Sequence, residues 1–477
     1  MNKIFWIFVT LIVLAPLPFG MVYSLFQAIF ACAVFTLVLG YCIIKIRQGR
    51  GLEVGIGRIW PETLGFVLVL IWGVVQISTL TPESWHHPLW AEAAAVLGTE
   101  IKGSLSLARG DGIEALMRLV MYAGVFFLAL QLGRDRGRAE KLFLAVALAG
   151  TGYAIYGLAM HFSGLNLVLW EERTEIGRHV TGTFINRNNF ATFVGLGLLC
   201  AAGLYLSGFF KALQSRRFGR DKIFHVLQQA FVRGAPLLAC MLILLTALFL
   251  TSSRAGVTAS IIALLVLIIF LGLFLRLTGN LYKVVAVTVL TAALAVFFLS
   301  GEGWLERLTA TDLEKEARII RYEQTWQAVE SAPWTGYGMG SYEQTFFIFA
   351  DERTVTSFMA HNDWLEMTYE LGLPMAALWF LVLGGLAVRC LAGFFRRERD
   401  HVYPAVAVSA CVLVGLHSLV DFSLQIPAVA MTFAVLLGVG VAQGWSSVVS
   451  LRPGGRSVVR DHQVRGATWR WGDLAKE

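Results

Sequence analysis

Charge is scarce in this chain: only 15% of its 477 residues are Asp, Glu, Lys or Arg, against 57% hydrophobic. A soluble domain carries about a quarter charged residues, so a water-exposed globule is excluded as the main body. Cysteine is equally uninformative as chemistry. Cys32, Cys42, Cys200, Cys240, Cys390 and Cys411 all fall inside apolar stretches. No Cys-x-x-Cys or Cys/His spacing occurs among them, which argues against zinc sites and disulfide frameworks. Period-2 alternation is also missing, which excludes a membrane barrel. No internal repeat or low-complexity tract is present.

What is there is a series of apolar runs about 20 residues long, the length of a helix that crosses a bilayer. Backbone polar groups find no water in lipid, so such runs form helices. The pattern predicts an all-α, polytopic transmembrane bundle of about twelve spans: 4–19, 22–44, 61–80, 115–133, 142–163, 189–210, 236–251, 257–275, 282–300, 373–395, 403–420 and 427–447. The first run follows Lys3, lacks a small-x-small cleavage site and is followed at once by a second run. It reads as an uncleaved span rather than a signal peptide.

The net charge of +7 does not indicate nucleic acid. Most of the 39 Lys and Arg residues lie between alternate spans, on the side that the positive-inside rule makes cytoplasmic. Both termini are then cytoplasmic and three sizeable loops face outward: 81–114, 164–188 and 301–372. The chain divides into N-terminal spans (1–140), a core with arginine-bearing outer turns (141–300), a large outer loop subdomain (301–372), C-terminal spans (373–447) and a basic tail (448–477). The tail reads as unstructured. In the large loop, Thr311 and Asp312 suggest the start of a helix that stops before Pro333. The Gly336–Ser341 turn reads as a plain loop, since it follows no strand of a dinucleotide-binding unit.

Positive charge on the outer side is the anomaly. Arg187 sits in Asn186-Arg187-Asn188-Asn189-Phe190, and Arg254 in Ser252-Ser253-Arg254-Ala255-Gly256. Arg318 and Arg321 lie one helical turn apart on the loop helix. Guanidinium forks match phosphate oxygens two at a time. The competing reading for each is a side chain that snorkels to headgroups, and it is the preferred one for Arg118. His361 is the one histidine of the large loop, with a pKa range suited to a general base. Asp363, followed by Glu366 and Glu370, is placed to orient the imidazole or simply to favour a helix start. Asp421, at a span end, calls for a partner such as an outer arginine.

In order and spacing these motifs resemble the O-antigen ligase and polymerase superfamily over about residues 140–445. The resemblance rests on the Arg187 turn, Ser253-Arg254-Ala255-Gly256, the Arg321…Trp326…Ala328 helix, Gly336–Ser341, His361-Asn362-Asp363-Trp364-Leu365-Glu366 and Asp421–Pro427. It implies a GT-C type glycosyltransferase of the bacterial inner membrane with a periplasmic active site. The implied donor is an undecaprenyl-diphosphate-linked glycan. The acceptor is a lipid A core, a growing glycan chain or a protein hydroxyl, and neither a metal nor another cofactor is needed. By position, Arg187 and Arg254 match the arginines that hold the diphosphate, Arg321 a recurring basic position, and His361 the essential histidine. Two other classes stay open from the residues alone: a flippase or transporter, and a non-enzymatic envelope scaffold.

Overall fold

A computed structural model describes residues 1–165, 167–172, 179–214, 224, 228–274, 304–354, 359–397, 400–445, 448–451 and 457–460. The architecture is helical throughout its body. Eleven of the twelve expected spans coincide with helices: α1 (Asn2–Leu14), α2 (Ser24–Arg47), α3 (Trp60–Ile77), α5 (Arg109–Leu132), α6 (Arg136–Ser163), α7 (Arg187–Gln214), α8 (Ala235–Leu250), α9 (Arg254–Phe274), α13 (Leu373–Arg396), α14 (Val402–His417) and α15 (Pro427–Gln443). The expected span 282–300 lies outside the described residues. Seven of the described helices are long and apolar enough to cross a membrane. Four shorter apolar helices (α1, α8, α14 and α15) complete the set.

Burial sorts these helices into layers. Every residue of α15 is buried, as expected for a helix that is apolar all round and lies at the centre of a bundle. It packs on α5, α14 and α13. On the outside, large side chains such as Leu25, Leu39, Ile71, Leu242, Leu381 and Val388 are exposed. That inversion is what a lipid-facing surface requires, because lipid tails are as apolar as a protein core.

The loop segments carry helices of their own. A small helix α4 (Leu89–Leu97) occupies the loop before α5, and a β1–β2 pair (Leu167–Val168, Glu171–Glu172) the loop before α7. The large loop holds α10 (Trp304–Ser331), α11 (Tyr342–Thr345) and α12 (Asp363–Leu371). Helix α10 begins seven residues before the Thr311-Asp312 start expected from capping preferences, so those residues lie within the helix. The tail, expected to be unstructured, pairs Val448–Leu451 with Ser457–Arg460 as an antiparallel hairpin (β3, β4).

The glycine turn fixes the loop subdomain to the spans. Gly336, Gly338 and Gly340 all have positive φ, and a Cβ on Gly336 would stand 2.4 Å from the Glu370 carbonyl oxygen. The backbone N–H groups of Tyr337 and Gly338 donate to the carbonyls of Tyr369 and Glu370, and that of Met339 to Gln76 Oε1. Gln76, buried at the C-terminal end of α3, also donates to the carbonyls of Thr335 and Glu370. The turn thus spends its donors on packing α12 against α3.

Candidate functional site

Four turns meet at one end of the bundle. Residues 181–186 lead into α7, residues 251–253 join α8 to α9, residues 359–362 precede α12, and residues 418–426 join α14 to α15. Side-chain bonds knit them together. Asn188 Nδ2 donates to Asp421 Oδ1 at 3.4 Å, and Ser423 Oγ donates to Asp421 Oδ2 at 3.0 Å. Ser418 Oγ and the Leu424 N–H donate to Asp363 Oδ2 at 2.7 and 3.2 Å. A Cβ on Gly256 would touch Ala191 and His417, so the Arg254 turn sits tightly against α7 and α14.

His361 occupies the middle of this junction. Its Nδ1 lies 3.5 Å from Asp421 Oδ1, with Asp421 fully buried and the histidine side chain 23% exposed. The distance is long for a hydrogen bond but short for electrostatics, and such contacts tighten when a substrate is bound. The Phe422 ring stands edge-on to the imidazole at 5.0 Å. His361 itself has φ of +54°, a left-handed conformation that costs an L-residue about 1–2 kcal/mol. The strain is held by its neighbours. Tyr322 donates its hydroxyl to the His361 carbonyl at 2.9 Å, and Asn362 caps α12 by accepting from the Leu365 N–H. Ser252, two residues before Arg254, has φ of +56°. Strained non-glycine residues of this kind cluster at functional sites.

The carboxylate beside the imidazole is therefore Asp421, not Asp363. Asp363 is committed to the 418–424 turn, and Asp421 is partnered by His361, Asn188 and Ser423 rather than by an outer arginine. Burial alone would raise the Asp421 carboxyl, but His361, the nearby His417 and the Ser423 hydroxyl overcome it and hold it below its usual range. The acids of α12 go the other way. Asp363, Glu366 and Glu370 are all buried. Burial pushes Asp363 up to about 7 against the Ser418 and Leu424 bonds, helped by the charges of Asp421 and Glu370. Glu370 is likewise pushed up to about 7, chiefly by burial.

Arg187 and Arg254 each occupy the first position of a long helix. Asn186 Oδ1 accepts from the Asn188 N–H, and Ser253 Oγ from the Gly256 N–H, so both helices are capped by their own turns. Arg254 is exposed and Arg187 half-buried. Arg321 is buried on α10 and Arg318 half-buried. Both lie close enough to Tyr322 to act on its hydroxyl electrostatically, as does Asp421. Arg118, expected to snorkel outward, instead points into the protein. It reaches Gln27 Oε1 at 3.5 Å and acts on Glu366 and Glu370. Among the described residues no group of three His, Cys, Asp or Glu side chains has metal-binding spacing.

Several members of the site were not singled out from sequence: Asn188, Tyr322, Ser418 and Ser423, along with Thr192 and His417, whose Oγ1 and Nδ1 are 2.5 Å apart. The signal for Ser418, Ser423 and His417 was present in their adjacency to Asp421, whereas nothing local marks Tyr322.

No curated protein matches the chain. The family model described as O-Antigen ligase matches residues 239–380. The match takes in Arg254, Arg318, Arg321, His361 and Asp363, and leaves Arg187 and Asp421 outside it. Over that segment the chain is similar to the O-antigen ligase family, which supports the resemblance to the O-antigen ligase and polymerase superfamily.

Proposed function

We propose that the protein transfers a glycan from an undecaprenyl-diphosphate carrier to an acceptor hydroxyl at the periplasmic face of the bacterial inner membrane. The observation that carries this reading is the convergence of the Arg187, Arg254 and His361–Asp421 turns on one end of an apolar bundle. The carrier's tail belongs in lipid, and its diphosphate then lies at the depth of these turns.

Arg187 and Arg254 bind the diphosphate at two helix starts, where backbone N–H groups and the helix dipole also favour an anion. Asp421 faces Nδ1 of His361 and fixes the tautomer that leaves Nε2 free to accept a proton. The acceptor O–H then yields its proton to Nε2 as its oxygen bonds the anomeric carbon. The bond from that carbon to the diphosphate breaks, and the electron pair leaves on the diphosphate oxygen. Attack opposite the leaving group inverts the anomeric carbon. The arginines stabilise charge as it develops on the leaving group, the kind of preorganised electrostatics that often supplies the largest share of catalysis.

The test is a transfer assay with protein in nanodiscs and a carrier-linked repeat unit, first alone and then with lipid A core. Longer carrier-linked chains from the repeat unit alone identify a polymerase. Transfer that waits for lipid A core identifies a ligase. Movement of the carrier across the bilayer with no glycan transfer would replace this reading with a flippase.

A further inference from the structure

Helices α3, α13 and α15 each have one end near the His361 junction. Gln76 of α3 bonds to Glu370, α13 follows α12 directly, and α15 follows the 418–426 turn. At their other ends lies a separate pocket. Gly385, Arg389, Ala392 and Arg396 of α13 line it, together with Glu62 of α3 and Trp445 just past α15. The four α13 residues recur at helical spacing and share one face. Small residues let that face close on its neighbours. A Cβ on Gly385 would stand 3.0 Å from Glu62 Oε1, and one on Gly393 2.4 Å from the Gly444 Cα. Trp445 is pinned: its carbonyl accepts from Arg134 Nη1 at 2.6 Å, and the Arg58 guanidinium lies over its ring at 5.3 Å.

Charges of both signs border this pocket. Arg389 Nε donates to Glu62 Oε1 at 2.5 Å, an ion pair that ties α13 to α3. The bond engages one oxygen of the carboxylate and one nitrogen of the guanidinium. Glu62 is only 9% exposed, and its Oε2 has no hydrogen-bond partner among the described residues. A buried carboxylate oxygen is costly to leave unsatisfied. Among the same residues Arg389 bonds through Nε alone, which leaves its Nη groups for an acceptor. Arg396 is exposed at the end of α13, about 10 Å further along the same face at 1.5 Å per residue. Val388 also lines the pocket and is 63% exposed, so the pocket opens to the lipid-facing side of α13.

Arginines alone suit any anionic headgroup. The unpartnered carboxylate oxygen narrows the choice, because it repels a second anion and calls for a cationic donor. A ligand that meets both needs carries a phosphate and a primary ammonium a few bonds apart. We infer that the pocket binds the aminophosphate headgroup of a membrane lipid of the phosphatidylethanolamine class. The ammonium donates to Glu62 Oε2, and the phosphate accepts from the Arg389 Nη groups and Arg396. The bound headgroup bridges α3 to α13 at the end of the bundle away from His361. Headgroup binding here is independent of glycan transfer.

The test is a titration of the purified, lipid-stripped full chain in detergent with single lipids, read by native mass spectrometry. Phosphatidylethanolamine is expected to bind about tenfold more tightly than phosphatidylglycerol, which brings no cation to Glu62. The same margin is expected over phosphatidylcholine, whose quaternary ammonium has no N–H to donate. About tenfold is what one hydrogen bond to a charged group is worth. Glu62→Gln keeps an acceptor for Arg389 Nε but removes the negative charge, and it should erase the preference over phosphatidylglycerol. Arg396→Gln changes an exposed side chain and should weaken phosphatidylethanolamine about tenfold. Equal binding of phosphatidylethanolamine and phosphatidylglycerol by the wild type overturns the inference. So does a preference retained by Glu62→Gln, or wild-type binding of phosphatidylethanolamine by Arg396→Gln. Where Glu62→Gln fails to fold, the wild-type series and Arg396→Gln decide. Soluble O-phosphoethanolamine is the last arm. Binding as tight as that of the lipid would give the pocket to a free aminophosphate and overturn its assignment to a membrane lipid.

Discussion

Helices α7 and α9 begin with a cation, whereas α12, at the same junction, begins with acids. In α12 the first turn carries Asp363 and Glu366 behind an Asn362 cap, the arrangement that a helix dipole favours. In α7 and α9 the first residue is Arg and the first turn holds no acid. Two other helices start with Arg, and both are compensated. Arg109 of α5 is followed by Asp111, and Arg136 of α6 is preceded by the capping Asp135 and pairs with Asp400 at 3.1 Å. A cation at the positive end of a dipole is unfavourable in isolation. On the proposed reading, α12 is complete within the protein, while α7 and α9 await an anion from outside.

Substitutions at the junction can break that comparison. The largest effect is expected at His361, which stands between the two kinds of helix start. His361→Ala should lower transfer by about 10²–10⁴-fold, the usual contribution of a general base, with unchanged membrane insertion. Next comes the cationic side. Arg254→Ala should cost about 10²–10³-fold in transfer, as for loss of one preorganised donor. Arg254→Lys separates a bidentate clamp, which fails as Lys, from a counter-charge, which survives. Asp421→Asn should cost about 10–100-fold, the equivalent of the roughly 1.5–3 kcal/mol that a hydrogen bond to a charged group contributes, without loss of donor binding.

The acidic side should respond in stability rather than in chemistry. Asn362→Ala removes the α12 cap and should cost about 1 kcal/mol, read as a lower Tm in detergent. The smallest effect is a pH slope. Asp363 and Glu370 titrate near 7 in the folded protein and near 4 when unfolded. Between those values the folded state binds more protons, so their contribution makes stability fall as pH rises from about 4 to 7. Asp363→Asn and Glu370→Gln should flatten the Tm difference between pH 5 and pH 7.5. An unchanged difference would mean that these acids are not buried as described.

Much of this arrangement was legible in the residues. Spans such as 22–44 and 373–395 are local: hydropathy alone sets them, and the helices follow within a few residues. Arg187 and Arg254 stood out because each is a cation beside a long apolar run, and His361 because it is the one histidine of the large loop. What could not be read was pairing at a distance. Asp421 and His361 are 60 positions apart, and only the docking of the loop on α14 brings them together, whereas the adjacent Asp363 takes the helix-start role that its position also suggested. Arg118 looked like a lipid-facing cation because its inward neighbours, Glu366 and Glu370, lie on a helix far along the chain. The start of α10 was missed because capping residues mark a helix end only where the backbone turns there.

The central claim is that an external diphosphate completes the cationic helix starts while His361 moves the proton. Purified wild type, His361→Ala and the double variant Arg187→Ala/Arg254→Ala, each titrated with a carrier-linked repeat unit and assayed for transfer, test it together. The account predicts that His361→Ala binds the donor as wild type does and transfers almost none, and that the double variant loses donor binding. Wild-type transfer by His361→Ala, or wild-type donor binding by the double variant, would contradict it.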